Sequence, residues 1–266
     1  MRYLIVILVM ASLPACAFGD DNLWLMNASH GEYVFNFYEF DGSTLTYIDT
    51  VDCPLTPSQS YGLAYSVDRD TVFWSYAIGS DDSISELDID FGTDITITVV
   101  NTFECPYAGE IRGLDFVDGE NAISFTSDPD NMIYTCNADD GTYVSELALG
   151  FSNPHPFGVC YDNNGYPHLN EFNGSDIFWY NGVDWNEYAN PSSNKGSGMD
   201  FYGGYVWETY WTDGVYRFLP DGTGTEFYET PEVGAQLSGL TVFLKSGGGD
   251  TGVEPASMGT IKATYR

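Results

Sequence analysis

The sequence predicts an all-β chain folded as a five-bladed β-propeller, closed by a C-terminal strand that completes the N-terminal blade. Three observations carry this prediction. A glycine phrase recurs five times, each recurrence opens a group of short apolar runs, and the chain ends hold complementary pieces of one repeat.

The phrase is Gly, an apolar residue, a small or acidic residue, then an aromatic or apolar one. It reads GLAYS from Gly62, GLDFV from Gly113, GVCYD from Gly158, GMDFY from Gly198 and GLTVF from Gly239. The spacings are 51, 45, 40 and 41 residues, and a period in this range marks propellers, solenoids or arrays. The units share one grammar. After the phrase come a second run (TVFWSYA, NAISFTS, YPHLNEF, YVWETYW), a third (SISELDI, NMIYTCN, DIFWYNG, GVYRFLP) and a fourth (ITITVVNTF, TYVSELAL, DWNEYAN, TEFYET). Turn residues such as Asp139–Gly141 and Pro220–Gly222 separate them. Four short strands per repeat make one propeller blade. No window has a sustained helical period, which excludes helical-pair, ankyrin and leucine-rich repeats.

The chain ends set the blade count. Before Gly62 the chain offers only LWLMN, EYVFNFYEF and TLTYIDTV, which match strands two to four. The missing first strand is SGLTVFLK, at Ser238–Lys245. Pairing the two ends closes the ring and removes exposed sheet edges. The alternative is six blades, with a degenerate blade inside the long first spacing.

The glycine-led first strand and the RFLPDGTG run (Arg217–Gly224) resemble the bacterial NHL, YVTN and SMP-30 (gluconolactonase-like) propeller superfamily. The resemblance covers nearly the whole chain after the leader and is architectural. Members of that superfamily bind, scaffold or catalyse, so it implies a fold rather than a function.

The domain reading is a signal peptide over 1–19, a propeller over 20–245, and a flexible linker and tail over 246–266. Arg2 and the apolar Tyr3–Leu13 form a leader too short to span a bilayer, and Ala15-Cys16-Ala17 reads as a cleavage site. The rival parse makes LPAC a lipobox with Cys16 lipidated. Either parse exports the chain to periplasm, cell surface or medium, and no later run is apolar enough to be a transmembrane helix. Eight Lys and Arg face 39 Asp and Glu, a net charge of −31. Such a chain repels nucleic acid and anionic membranes.

Cys53-Pro54 and Cys105-Pro106 occupy equivalent places in consecutive repeats, too far apart around a ring for a disulfide. Cys136 and Cys160 fall on different strands of successive blades and are not obviously adjacent, so the four are expected to be mostly buried free thiols. None has zinc-ligand spacing.

Candidate chemistry falls on two sets of residues. Asp115 and Asp200 hold the third place of the phrase. Buried there, a carboxylate must be hydrogen-bonded, paired or metal-bound. Glu171 and Glu208 lie on second strands, with His168 and Asn170 close by. Oxygen donors of this kind suit calcium, and the resembled lactonases place such donors around a divalent ion. Backbone hydrogen bonding is the competing role for the two aspartates. Trp179, Trp185, Trp211 and Tyr210 lie near strand ends, where exposed rings stack on sugars or grip peptides. Trp24, Trp74 and Trp207 are read as packing residues recurring at one blade position. No nucleophile–histidine spacing and no phosphate loop is present.

The expected function is a secreted or surface-attached, monomeric binding or scaffold module for an extracellular glycan or protein. One alternative is a calcium-dependent lactonase-like or carbohydrate-active enzyme using channel carboxylates. The other is a purely structural extracellular component.

Overall fold

The computed structural model describes residues 23–244, apart from 118, 129, 152–154, 175, 193–194, 213 and 231–235. The leader, Cys16 and the C-terminal tail lie outside the described residues.

Twenty strands form five antiparallel four-stranded sheets. Blade 1 is β4 (Gln59–Ser66), β5 (Thr71–Ile78), β6 (Asp81–Phe91) and β7 (Ile95–Glu104). Blade 2 is β8 (Glu110–Val117), β9 (Ala122–Asp128), β10 (Met132–Asn137) and β11 (Tyr143–Ala148). Blade 3 is β12 (Pro156–Tyr161), β13 (Pro167–Glu171), β14 (Asp176–Tyr180) and β15 (Trp185–Ala189). Blade 4 is β16 (Gly196–Tyr202), β17 (Tyr205–Tyr210), β18 (Gly214–Phe218) and β19 (Glu226–Glu229). Blade 5 joins β20 (Leu237–Leu244) to β1 (Leu23–Ser29), β2 (Val34–Phe40) and β3 (Leu45–Asp52), so both chain ends share one sheet. The described residues contain no helix, and hence none long and apolar enough to cross a membrane.

The recurring glycine has a steric cause. A Cβ on Gly62 would lie closer than 3.0 Å to the backbone of Arg112 and Leu114. The same collision links Gly113 to Phe157, Gly158 to Ser197, Gly198 to Leu240 and Gly239 to Tyr61. The five inner strands thus press backbone on backbone around a closed ring, and only glycine fits at each contact. In β4, β8, β12 and β16 the pairing with the second strand slips at the phrase.

Hydroxyl and amide side chains on the second strands hold this ring. The amides of Gly62, Gly113, Gly158 and Gly198 donate to Ser75, Thr126, Asn170 and Thr209. Ser75, Thr126 and Asn170 in turn donate to the carbonyls of Arg112, Phe157 and Ser197 on the next blade. Blade 5 has Ala28 at this place, and Asn27 beside it donates to the Gly239 carbonyl.

The core lies in the five seams between blades. Trp74 and Leu63 of blade 1 meet Met26 and Phe35 of blade 5, and Phe73 meets Phe116 and Phe125 across the next seam. Burying one such side chain contributes about 1.5–3 kcal/mol. Trp24, Trp74 and Trp207 are all buried. They do not share one blade position: their first-strand partners are Phe243, Leu63 and Asp200, three different places in the phrase. The four described cysteines carry free thiols, three of them buried and Cys53 half-buried.

Candidate functional site

The start of each first strand and the end of each second strand lie at the same end of the ring, because the two strands run antiparallel. Two sets of five side chains therefore surround one mouth. The residue before the phrase glycine gives Tyr61, Arg112, Phe157, Ser197 and Ser238. The residue two places beyond the ring-holding side chain gives Ala77, Asp128, Phe172, Trp211 and His30.

Five of these rings close a circuit. Centroid separations are 5.7 Å for His30–Tyr61, 6.2 Å for Tyr61–Phe157 and 5.2 Å for Phe157–Phe172. Phe172–Trp211 at 4.9 Å and Trp211–His30 at 5.1 Å complete it. The Arg112 guanidinium lies 4.3 Å from the Tyr61 centroid and 5.7 Å from that of Phe157. The Lys195 ammonium sits 4.5 Å from the Phe172 centroid. Such cation–π contacts gain from desolvation. Two of the chain's eight Lys and Arg thus meet at one mouth of a protein whose net charge is −31.

Carboxylates balance these cations. Arg112 pairs with Glu110 and lies 3.8 Å from Asp128. His155 Nδ1 is 3.0 Å from the same Asp128 oxygen, and the His155 side chain is 46% exposed. His30 Nδ1 is 3.0 Å from the Ser60 carbonyl, to which it donates. Burial, with Arg112 adding to it, holds the His30 pKa below its ordinary value despite that carbonyl. Burial pushes the Tyr61 phenol up to about 12.

A groove of about 450 Å³ opens beside Tyr61, between blades 1 and 2. Asp81, Asp82, Glu104 and Glu110 line it together with Gln59. Asp82 accepts from the Ile111 amide, while Asp81 and Glu104 are exposed.

The residues singled out from sequence are dispersed. Trp211 joins the ring circuit. Tyr210, one residue earlier, is buried and donates to Glu208 and Asn190. Trp179 and Trp185 flank the β14–β15 turn: Trp179 stacks on His168, and Trp185 packs on Phe151 and Tyr180. The four expected cation ligands do not converge, and among the described residues no three His, Cys, Asp or Glu side chains form a group able to hold a metal. Asp115 accepts from the Tyr161 amide of the next blade, and Asp200 from Thr241 and the Val242 amide. Glu208 is fully buried, accepts from Asn170 and Tyr210, and is pushed up to about 8 by burial. Glu171 folds back over Gly174, and burial with Asp176 nearby raises its pKa.

The sequence alone does not single out Tyr61, Arg112, Phe157, Phe172 or His30. A signal is present nonetheless. The place before the glycine is large in three repeats and Ser in two, whereas the phrase itself barely varies.

No family model matches the chain, and no curated protein matches it in sequence. Solved structures do. A nidogen/laminin complex aligns with a TM-score of 0.54 at 16% identity, covering 83% of this chain and 98% of that one. A Bacteroides caccae protein of unknown function aligns at 0.53 and 10% identity, covering 84% and 99%. A Bacteroides fragilis protein named as a 6-phosphogluconolactonase aligns at 0.50 and 11% identity, covering 79% and 83%. At these identities the likeness is one of fold alone.

Proposed function

We propose that the ring-lined mouth is the ligand site of a binding module, and that its ligand is an extended segment of an extracellular protein carrying a basic side chain. The observation that carries this reading is the closed circuit of His30, Tyr61, Phe157, Phe172 and Trp211 beside the groove bearing Asp81, Asp82, Glu104 and Glu110. His30, Phe172 and Trp211, each partly exposed, offer an apolar face for a side chain or peptide, and the buried Tyr61 and Phe157 rings pack against them. The groove's carboxylates attract a cation, and the chain's negative field steers it there. Export of the chain, as its leader suggests, would put the site where such a partner is met.

The test is a peptide array probed with the full chain and with Trp211→Ala and Asp81→Asn/Glu104→Gln. Capture of Lys- or Arg-containing peptides should weaken at least tenfold in each variant and fall with added salt. Equal capture by wild type and variants would overturn the reading, and selective capture on a parallel glycan array would replace the protein ligand by a glycan.

A second reading has its own observation. His155, half-exposed and oriented by Asp128, has the arrangement of a general base beside a binding surface. Turnover of a bound ligand that is lost in His155→Gln while binding persists would make the module an enzyme.

A further inference from the structure

We infer that Cys105 and Cys136 form a disulfide when the chain folds under oxidising conditions, stapling the seam between blades 1 and 2. Both side chains belong to the same buried cluster, which also holds Phe103, Ile123 and Ala138. The two thiols lie within hydrogen-bonding reach of each other, and the Tyr107 hydroxyl approaches both. Cys105 leaves the last strand of blade 1, and its carbonyl accepts from the Ala108 amide in the tight turn that enters blade 2. Cys136 sits on β10 at the place where the pairing with β11 slips.

The preceding repeat differs in one partner. The pairing of β6 with β7 slips at Leu87, the counterpart of Cys136. Cys53, the counterpart of Cys105, lies in the cluster that contains Leu87. One seam thus joins a cysteine to a leucine, and the next joins a cysteine to a cysteine. Cys160 sits in a separate cluster with Ile177 and Met199.

The chemistry is thiol–disulfide exchange with a small-molecule disulfide such as oxidised glutathione. The Cys105 thiolate attacks that disulfide and releases one glutathione thiolate. The Cys136 thiolate then attacks the Cys105 sulfur and expels the second. Two protons leave the protein and two electrons pass to glutathione, giving two reduced molecules. Cys105 is 4% exposed and Cys136 0%, so the bond forms while the seam is still open during folding.

The experiment refolds the full chain from denaturant in a buffer of reduced and oxidised glutathione. The product is alkylated in denaturant and mapped by mass spectrometry without reduction. A cross-linked peptide pair containing Cys105 and Cys136 is expected, with Cys53 and Cys160 alkylated. Full alkylation of Cys105 and Cys136, or a cross-link between any other pair, overturns the inference. Thermal midpoints give a second reading. Reductant should lower the midpoint of the oxidised chain by roughly 5–10 °C, as a closed loop of about 30 residues implies. That shift should persist in Cys53→Ser and vanish in Cys136→Ser, and a shift unchanged in Cys136→Ser also overturns it.

Discussion

The Asp200 carboxylate crosses the seam between blades 4 and 5 to accept a hydrogen bond from the Val242 amide at 2.6 Å. Its same oxygen accepts from the Thr241 hydroxyl at 2.9 Å, and Thr241 in turn accepts from the Tyr65 amide of blade 1. One aspartate thus begins a relay over three blades. Asp200→Ala leaves the Val242 amide unpaired at a seam, which costs about 1–3 kcal/mol. A drop of that size in the urea-unfolding free energy is expected. The wild-type protein should melt at the same temperature in EDTA and in millimolar calcium. An upward shift of several degrees in calcium would return Asp200 and Asp115 to the role of cation ligands.

Gly113 meets the Phe157 carbonyl and the Gly158 backbone where any Cβ would stand. Backbone on both sides cannot yield as a side-chain tip can. Gly113→Ala should therefore destabilise by about 3 kcal/mol, at the upper end for overpacking. Gly31 is the control: nothing lies within 4 Å of its would-be Cβ. Gly31→Ala should change stability by less than about 0.5 kcal/mol. Chemical denaturation of the pair checks the contrast.

Glu208 stands where blades 1, 2 and 3 place the apolar Trp74, Phe125 and Leu169 and blade 5 places Asn27, each paired with the residue after the phrase glycine as Glu208 is with Met199. Burial raises its folded pKa from 4.5 to about 8. The folded state therefore holds a proton that the unfolded state has lost. This stability is fully present below the unfolded pKa and is lost as pH rises towards 8. Unfolding free energy should fall by a few kcal/mol between pH 5 and about 8, each tenfold difference in proton affinity being worth about 1.4 kcal/mol. Glu208→Gln should flatten that slope and be the more stable protein at a pH above about 8. Equal slopes would show that Glu208 ionises freely in the fold.

His30 is held below its ordinary pKa by burial, with the Arg112 charge acting in the same direction. The folded state thus binds fewer protons at this ring than the unfolded state does. Its contribution to stability rises with pH from the depressed value up to 6.5 and is constant above. The proton resonances of the His30 imidazole should titrate with a midpoint below 6.5. Arg112→Met should move that midpoint upward only in part, because desolvation is the larger cause.

Much of the fold is legible in the sequence because propeller geometry repeats. Gly62, Gly113, Gly158, Gly198 and Gly239 mark the inner strands, and the orphan strand at Leu237–Leu244 pairs with β1 as the chain ends imply. The site is less legible. Trp211 is found by its residue type, but Trp179 and Trp185 qualify on the same ground and pack at a blade edge. Arg112 and Phe157 belong to no motif. They matter because the ring brings residues about 45 positions apart in the chain to one mouth.

By itself, the sequence determined the strand-forming runs, the repeat and the acidic composition. Each follows from local spacing or composition, which act without knowledge of neighbours. Tertiary structure alone decided what Asp115, Asp200 and Glu208 do. A buried carboxylate's role depends on which donors surround it, and here those donors are the Tyr161 and Val242 amides, Asn170 and Tyr210, brought from other blades and other strand positions. It also decided that His30, Tyr61, Phe157, Phe172 and Trp211 come together in one circuit of rings, with Tyr61 and Phe157 buried. Ring contacts at 4.9–6.2 Å are made by closure of the propeller, which no single repeat encodes.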